Sequence, residues 1–190
     1  MPSLSDNVFK DKTAIAGIGF TTFSKRSETT PLGLACRAVI SALDDAGLSI
    51  DDVDGLAQYN TGDSISAGEV ATAIGIKHTN WMLDFSCGGW GVSAMVGNAA
   101  MAIATGHADV VVVWRAMNGR SGTRLGGGGR SYGVTGFRQW GVPYGLITPA
   151  QSYAMWARRH MDTFGTTSEH FGHIAVNSRR NAALNPRATM

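Results

Sequence analysis

Residues 81–115 read WMLDFSCGGWGVSAMVGNAAMAIATGHADVVVVWR, and the fold follows from how this stretch divides. WMLDF is apolar and extended in character. CGGWG is too rich in glycine to continue a strand or begin a regular helix. VSAMVGNAAMAIA has helix length and is ended by Thr105-Gly106, after which VVVVW is a β-branched run of the kind found in parallel sheets covered on both faces. The order is strand, tight turn, helix, strand. No Asp, Glu, Lys or Arg occurs from Phe85 to Ala108, so the helix has no face built for bulk water and is expected to be buried on all sides. The turn at its start would aim free backbone N–H groups and the positive end of the helix dipole at one spot, suited to an oxyanion or a nucleophile. A membrane span is the poorer reading, because three glycines fall between Phe85 and Gly91 and Asn98 lies within the helix. A buried βαβ unit with no chemistry at its corner remains open.

Outward from this stretch, strands and helices alternate. Thr13–Phe20 (TAIAGIGF) reads as a strand whose Gly17 and Gly19 serve close packing. A dinucleotide fingerprint needs a third glycine where Thr22 stands. Thr30-Pro31 opens a helix as N-cap and first helical residue, and Gly47 stops it. Cys36 falls within it as core packing. Gly55–Asn60 fits a strand and Ser66–Ile74 a helix, with Ser66 or Asp63 available as cap. This alternation over residues 13–115 predicts an α/β layered domain.

Met117–Pro149 carries ten glycines, with Arg and aromatic residues interleaved. It is too long for a simple connection, and Tyr132, Phe137, Trp140 and Tyr144 favour an ordered ligand-covering region over a linker. Two helices are expected over Gln151–Phe164 and Thr167–Ala183. His170 and His173 have i, i+3 spacing, yet no further ligands accompany them, so an exposed first turn is expected and no metal. Cys36 and Cys87 show no metal-ligand spacing and no disulfide framework.

The 190 residues are 44% hydrophobic and 16% charged, low in charge for a free-standing monomer, and the net charge is +2 with the bases concentrated after Arg115. Such a basic half suits a phosphate-bearing small ligand; no nucleic-acid motif accompanies it. The N-terminal segment lacks the apolar core of a signal peptide, which makes a cytoplasmic protein the expectation. Asn185–Met190 has neither cap nor strand character, so a chain continuing beyond it is expected.

AIAGIGFTTFSKR before the Pro31 helix, the glycine turn into an Ala-rich helix ending Ile103-Ala104-Thr105-Gly106, VVVVW, and YAMWARRHMDTFGTTSEHFGHIAVNSRRNAALNPRA together resemble the thiolase superfamily. The match is best to its sterol-carrier-protein-x and lipid-transfer-like branch, which includes steroid side-chain retro-aldolases. The resemblance implies the first half of a five-layer αβαβα arrangement with an inserted Gly-rich loop region. Residues 1–116 would form the N-terminal core, residues 117–190 the inserted loop region and helices, and the second half would be absent. It implies a homodimer with Trp81–Phe85 at the two-fold interface, and a small OB-fold, zinc-ribbon partner protein.

The resemblance also places the thiolase nucleophile position at Gly89, counted back from Thr105-Gly106, beside Gly88 and two residues after Cys87. A turn without its nucleophile implies retro-aldol cleavage of a β-hydroxyacyl-CoA, as in steroid side-chain or lipid degradation, with the bases in the second half. A thiolase-type acyltransferase using Cys87 and a non-catalytic acyl-CoA or lipid-binding scaffold are the alternatives. Trp90, Arg124, Arg130, Arg138 and Tyr144 are the substrate-binding candidates, the arginines because guanidinium forks suit CoA phosphates. No cofactor is expected, CoA thioester being the substrate.

Overall fold

A computed structural model describes residues 9–122 and 133–189, in two units, 1–125 and 126–190. In the first, α1 spans Pro31–Ala46. The Thr30 hydroxyl accepts from the Gly33 N–H at 3.2 Å, and Gly47, at φ 67°, closes the helix in the left-handed conformation. Ala35, Val39 and Leu43, spaced i, i+4, i+8, form its buried stripe. β1 (Gly55–Asn60), α2 (Ala67–Ile74), β2 (Trp81–Ser86), α3 (Gly91–Ala104) and β3 (Val111–Trp114) follow. Ser66 and Glu69 cap α2 reciprocally, the Ser66 hydroxyl accepting from the Glu69 N–H at 3.3 Å and the Glu69 carboxylate from the Ser66 N–H at 3.2 Å.

The strands form a parallel sheet in the order β2-β1-β3, with Gly55 opposite both Trp81 and Val111. Reversal of direction after β2 puts α2 and α3 on opposite faces if both crossovers are right-handed. The contacts agree: Leu56, Val112 and Trp114 join the α1–α2 core, whereas a Cβ added at Gly91 of α3 would meet the Tyr59 ring from the other face. β1, flanked by strands and covered on both faces, has four buried residues in succession.

The strand expected at Thr13–Phe20 does not form among the described residues. The segment has no regular secondary structure and is largely exposed, with the Ile18 N–H donating to Asp45 Oδ2 at 2.8 Å. Its glycines do pack closely: a Cβ at Gly17 would collide with the α1 backbone at Ala42 and Ala46, and one at Gly19 with Ala38 and Ala42. The α3 helix also departs from expectation. Gly91, Met95, Ala99 and Ala102 are buried, while Val92, Val96 and Met101 are exposed, so the chain covers one face only.

In the second unit, 3₁₀ turns at Gly136–Trp140 and Val142–Tyr144 precede α4 (Pro149–Phe164) and α5 (Ser168–Ala183). Thr148 and Gln151 cap α4, and His170 Nδ1 accepts from the Thr167 N–H at 3.1 Å at the start of α5. None of the described residues of this unit is buried.

Candidate functional site at the strand ends

Parallel strands finish at one edge, and in open α/β sheets that edge is where ligands bind. Here β1 leads to Asp63, β2 to Cys87-Gly88-Gly89-Trp90, and β3 to Arg115.

At the turn, the Cys87 N–H donates to the Asn60 carbonyl at 3.1 Å and holds the residue against the end of β1. The thiol is buried, the residue being 6% exposed. The Gly91 N–H donates to the Gly88 carbonyl at 2.9 Å, and no side chain caps α3. Free N–H groups of the first helical turn and the helix dipole therefore face the turn. Gly91 is the tight position, because a Cβ there would collide with Cys87 Sγ and press on the Tyr59 ring at 3.2 Å; Gly89 has nothing within 4 Å of the corresponding place. Trp90 stands outward, 68% exposed, with its ring edge-on to Phe85 at 5.6 Å.

Next to the turn lies a buried ion pair. Arg115 Nη2 reaches both Asp63 oxygens at 2.7 and 2.8 Å, Nη1 donates to the Ala116 carbonyl at 3.3 Å, and the guanidinium lies 4.9 Å from the Tyr59 ring centroid. Burial is the largest influence on Asp63 and pushes its pKa up. The Thr61 N–H and the hydrogen bond and charge of Arg115 together outweigh it and hold the carboxyl below its ordinary value. Tyr59 thus neighbours both Gly91 and Arg115. Asp84 in β2 accepts from Gln58 Nε2 at 2.5 Å and from the Ala67 N–H at 2.9 Å, tying β1, β2 and the start of α2 together.

The structure brings Cys87, Gly88, Gly89 and Trp90 together. Arg138 and Tyr144 belong to the second unit, in the two 3₁₀ turns, and Tyr144 is exposed. Arg124 and Arg130 lie outside the described residues. Tyr59, Asp63 and Arg115 were not candidates. Asp63 reads from sequence as a spare helix cap and Arg115 as one base among many; burial of the carboxylate is the property that distinguishes them. Among the described residues no cluster of three or more His, Cys, Asp or Glu side chains could hold a metal, and no helix is long and apolar enough to cross a membrane.

Fold and strand-end turn define an α/β domain that presents backbone donors at the C-terminal edge of a parallel sheet. The chain is 47% identical over 187 residues to a steroid side-chain-cleaving aldolase of Thermomonospora curvata, which covers 96% of this chain and 48% of that protein. It is 47% identical over 182 residues to a 17-hydroxy-3-oxo-4-pregnene-20-carboxyl-CoA lyase of Mycobacterium tuberculosis, covering 92% and 46%. An acetyl-CoA acetyltransferase of Methanothermobacter thermautotrophicus matches at 27% over 186 residues, covering 92% of this chain and 46% of that protein. A solved structure described as an Ltp2-ChsH2(DUF35) aldolase superposes with a TM-score of 0.83 at 46% identity, over 93% of this chain and 44% of that one. No family model matches the sequence. Over almost its whole extent the chain is similar to a steroid side-chain-cleaving aldolase and to a pregnene-carboxyl-CoA lyase, as the sequence motifs imply, and it spans about half the length of the curated relatives it matches.

Proposed function

We propose that this chain contributes the glycine turn of a retro-aldolase acting on a β-hydroxyacyl-CoA, in steroid side-chain or lipid degradation. One observation supports the reading beyond homology: Gly89, where the resemblance puts the thiolase nucleophile position, has open space and no side chain, while the neighbouring Cys87 is buried. Retro-aldol cleavage requires no acyl-enzyme. A base takes the proton of the β-hydroxyl and the Cα–Cβ bond breaks. The β-carbon leaves as a carbonyl, and the electron pair passes through Cα to the thioester oxygen as an enolate. Protonation at Cα then yields the shortened acyl-CoA.

Backbone N–H groups at Gly88, Gly89 and the start of α3 are suited to stabilising that enolate, since no side chain caps the helix. The base would come from the second half that the resemblance implies. In the same reading Trp90, Arg124, Arg130, Arg138 and Tyr144 are candidates for substrate binding, the arginines for the CoA phosphates, and no cofactor or metal takes part. The working protein would be a cytoplasmic homodimer of five-layer thiolase-like halves with a small OB-fold, zinc-ribbon partner.

The test is incubation of the complete protein with a β-hydroxyacyl-CoA, followed by product analysis and intact mass. A released carbonyl product plus shortened acyl-CoA, with no protein adduct, is expected. A stable acyl adduct mapped to Cys87 would overturn the reading in favour of thiolase chemistry.

A further inference from the structure

Asp63 joins the loop after β1 to the end of β3. Its Oδ1 accepts from the Thr61 N–H at 3.0 Å and from Arg115 Nη2 at 2.7 Å, and its side chain is only 2% exposed. With Nη2 on the carboxylate and Nη1 on the Ala116 carbonyl, the Arg115 guanidinium is held at both ends, and in that pose it lies over the Tyr59 ring. Tyr59 is in turn a contact of the glycine turn. A Cβ built on Gly91 would come within 3.2 and 3.3 Å of ring atoms Cγ and Cδ2, so the first turn of α3 is seated directly against the ring. The next residue of β1 completes the junction, its Asn60 carbonyl accepting from the Cys87 N–H. A run of contacts therefore leads from Asp63 through Arg115 and Tyr59 to the start of α3, all of it within the first unit.

We propose that Arg115 is a positioning residue for the glycine turn and acts through Tyr59: locked by Asp63, it holds the ring on which α3 is seated and so fixes where the backbone donors of the turn point. Only the planar guanidinium meets all three demands, spanning two carboxylate oxygens, reaching a carbonyl and stacking on an aromatic face; an ammonium is a point charge on a flexible stem. The aim of the donors matters because an oxyanion is stabilised only by N–H groups within about 2.7–3.1 Å of it, and a displacement of about 1 Å costs up to about a hundredfold in rate. The catalytic consequence rests on the retro-aldol reading of the turn, whereas the positioning itself does not.

Hydrogen exchange and steady-state kinetics of the complete protein test it. Arg115→Lys keeps a positive charge beside Asp63 but loses the fork. It should speed exchange of the Cys87 and Gly91 amides, both hydrogen-bonded in the turn, by about tenfold or more, and leave the Gly55 amide, bonded to the Val110 carbonyl at the opposite end of the sheet, as in wild type. Tyr59→Leu should give the same pattern and Tyr59→Phe, which keeps the ring, wild-type exchange. The double variant Arg115→Lys/Tyr59→Leu should exchange no faster than Tyr59→Leu alone, because both changes act through one ring. With a β-hydroxyacyl-CoA, Arg115→Lys should lower kcat about tenfold or more and leave KM within about twofold. Thermal melts establish that each variant is folded. Wild-type exchange at Cys87 and Gly91 in a folded Arg115→Lys, equal acceleration at Gly55, or additive effects in the double variant would overturn the proposal. Faster exchange at the turn with kcat unchanged would uphold the positioning and overturn the retro-aldol role of the turn.

Discussion

Gly91 and Gly89 lie in the same turn and have opposite steric surroundings. A methyl at Gly91 has no room beside Cys87 Sγ and Tyr59, whereas a methyl at Gly89 enters open space. Gly91→Ala should therefore destabilise by about 1–3 kcal/mol through overpacking, and Gly89→Ala by less than about 1 kcal/mol. Urea unfolding of the two variants measures the difference, and equal losses would mean that the turn is not built around the Cys87–Tyr59 contact. Asp63 supplies a second prediction. With Arg115 left uncompensated in a mostly buried place, Asp63→Ala should cost about 3 kcal/mol, the lower end for breaking a buried pair because the Arg115 side chain retains 18% exposure. The Asp63 carboxyl sits below its ordinary value in the folded chain, so its stabilisation is complete above that ordinary value, about pH 4, and is lost as pH falls through the lower folded one. Unfolding free energy measured from pH 6 to pH 2.5 should fall on the acid side in wild type and fall less steeply in Asp63→Asn. Parallel slopes would remove Asp63 from the acid response.

At the scale of elements, Asp54 fastens the sheet at the end opposite the glycine turn. Its carboxylate accepts from the Asp109 N–H at 3.0 Å, the Val110 N–H at 2.9 Å and Asn80 Nδ2 at 2.9 Å, joining the starts of all three strands. Burial pushes its pKa up, but these bonds prevail and hold it below the ordinary value. Asp54→Ala should cost about 2 kcal/mol and speed hydrogen exchange at Asp109 and Val110 before the rest of β3. Unchanged exchange at those amides would show that the clamp is not what secures the strand. The elements of this half were largely legible in the sequence. β1 falls on Gly55–Asn60 because turn residues bracket it, and α1 runs from Thr30 to Gly47 because both caps are chemically specific. Thr13–Phe20 misled because an apolar β-branched run encodes an extended backbone without naming a partner, and α1 takes its glycines. The glycine turn was legible for the same reason as the caps, since composition alone sets it apart. The neighbouring Tyr59, Asp63 and Arg115 were not, because Asp63 and Arg115 are separated by 52 residues and meet only once β1 and β3 pair.

For the whole molecule, the decisive feature is what the chain leaves uncovered. Val92, Val96 and Met101 form an exposed, uncharged face on α3, and in the second unit Trp140, Trp156, Phe164 and Ile174 are exposed with no described residue buried. Apolar surface on this scale drives association. Sedimentation of the purified chain should show a dimer or larger species, and Val96→Glu should shift the distribution toward smaller species. A cooperative monomer with wild-type Val96 would mean that α3 needs no cover. The strand order also bears on how the chain is made. β1 is the middle strand, yet both of its partners, residues 81–86 and 111–114, follow it in the sequence. Extended from a ribosome, β1 has no sheet to join until β2 has emerged and stays open along its other edge until Trp114 is clear of the exit tunnel. Its four consecutive buried residues, Gly55 to Gln58, lack part of their cover during that interval. Chaperone dependence during synthesis should accordingly be highest for nascent chains ending between Asn60 and Trp114 and drop once β3 is out.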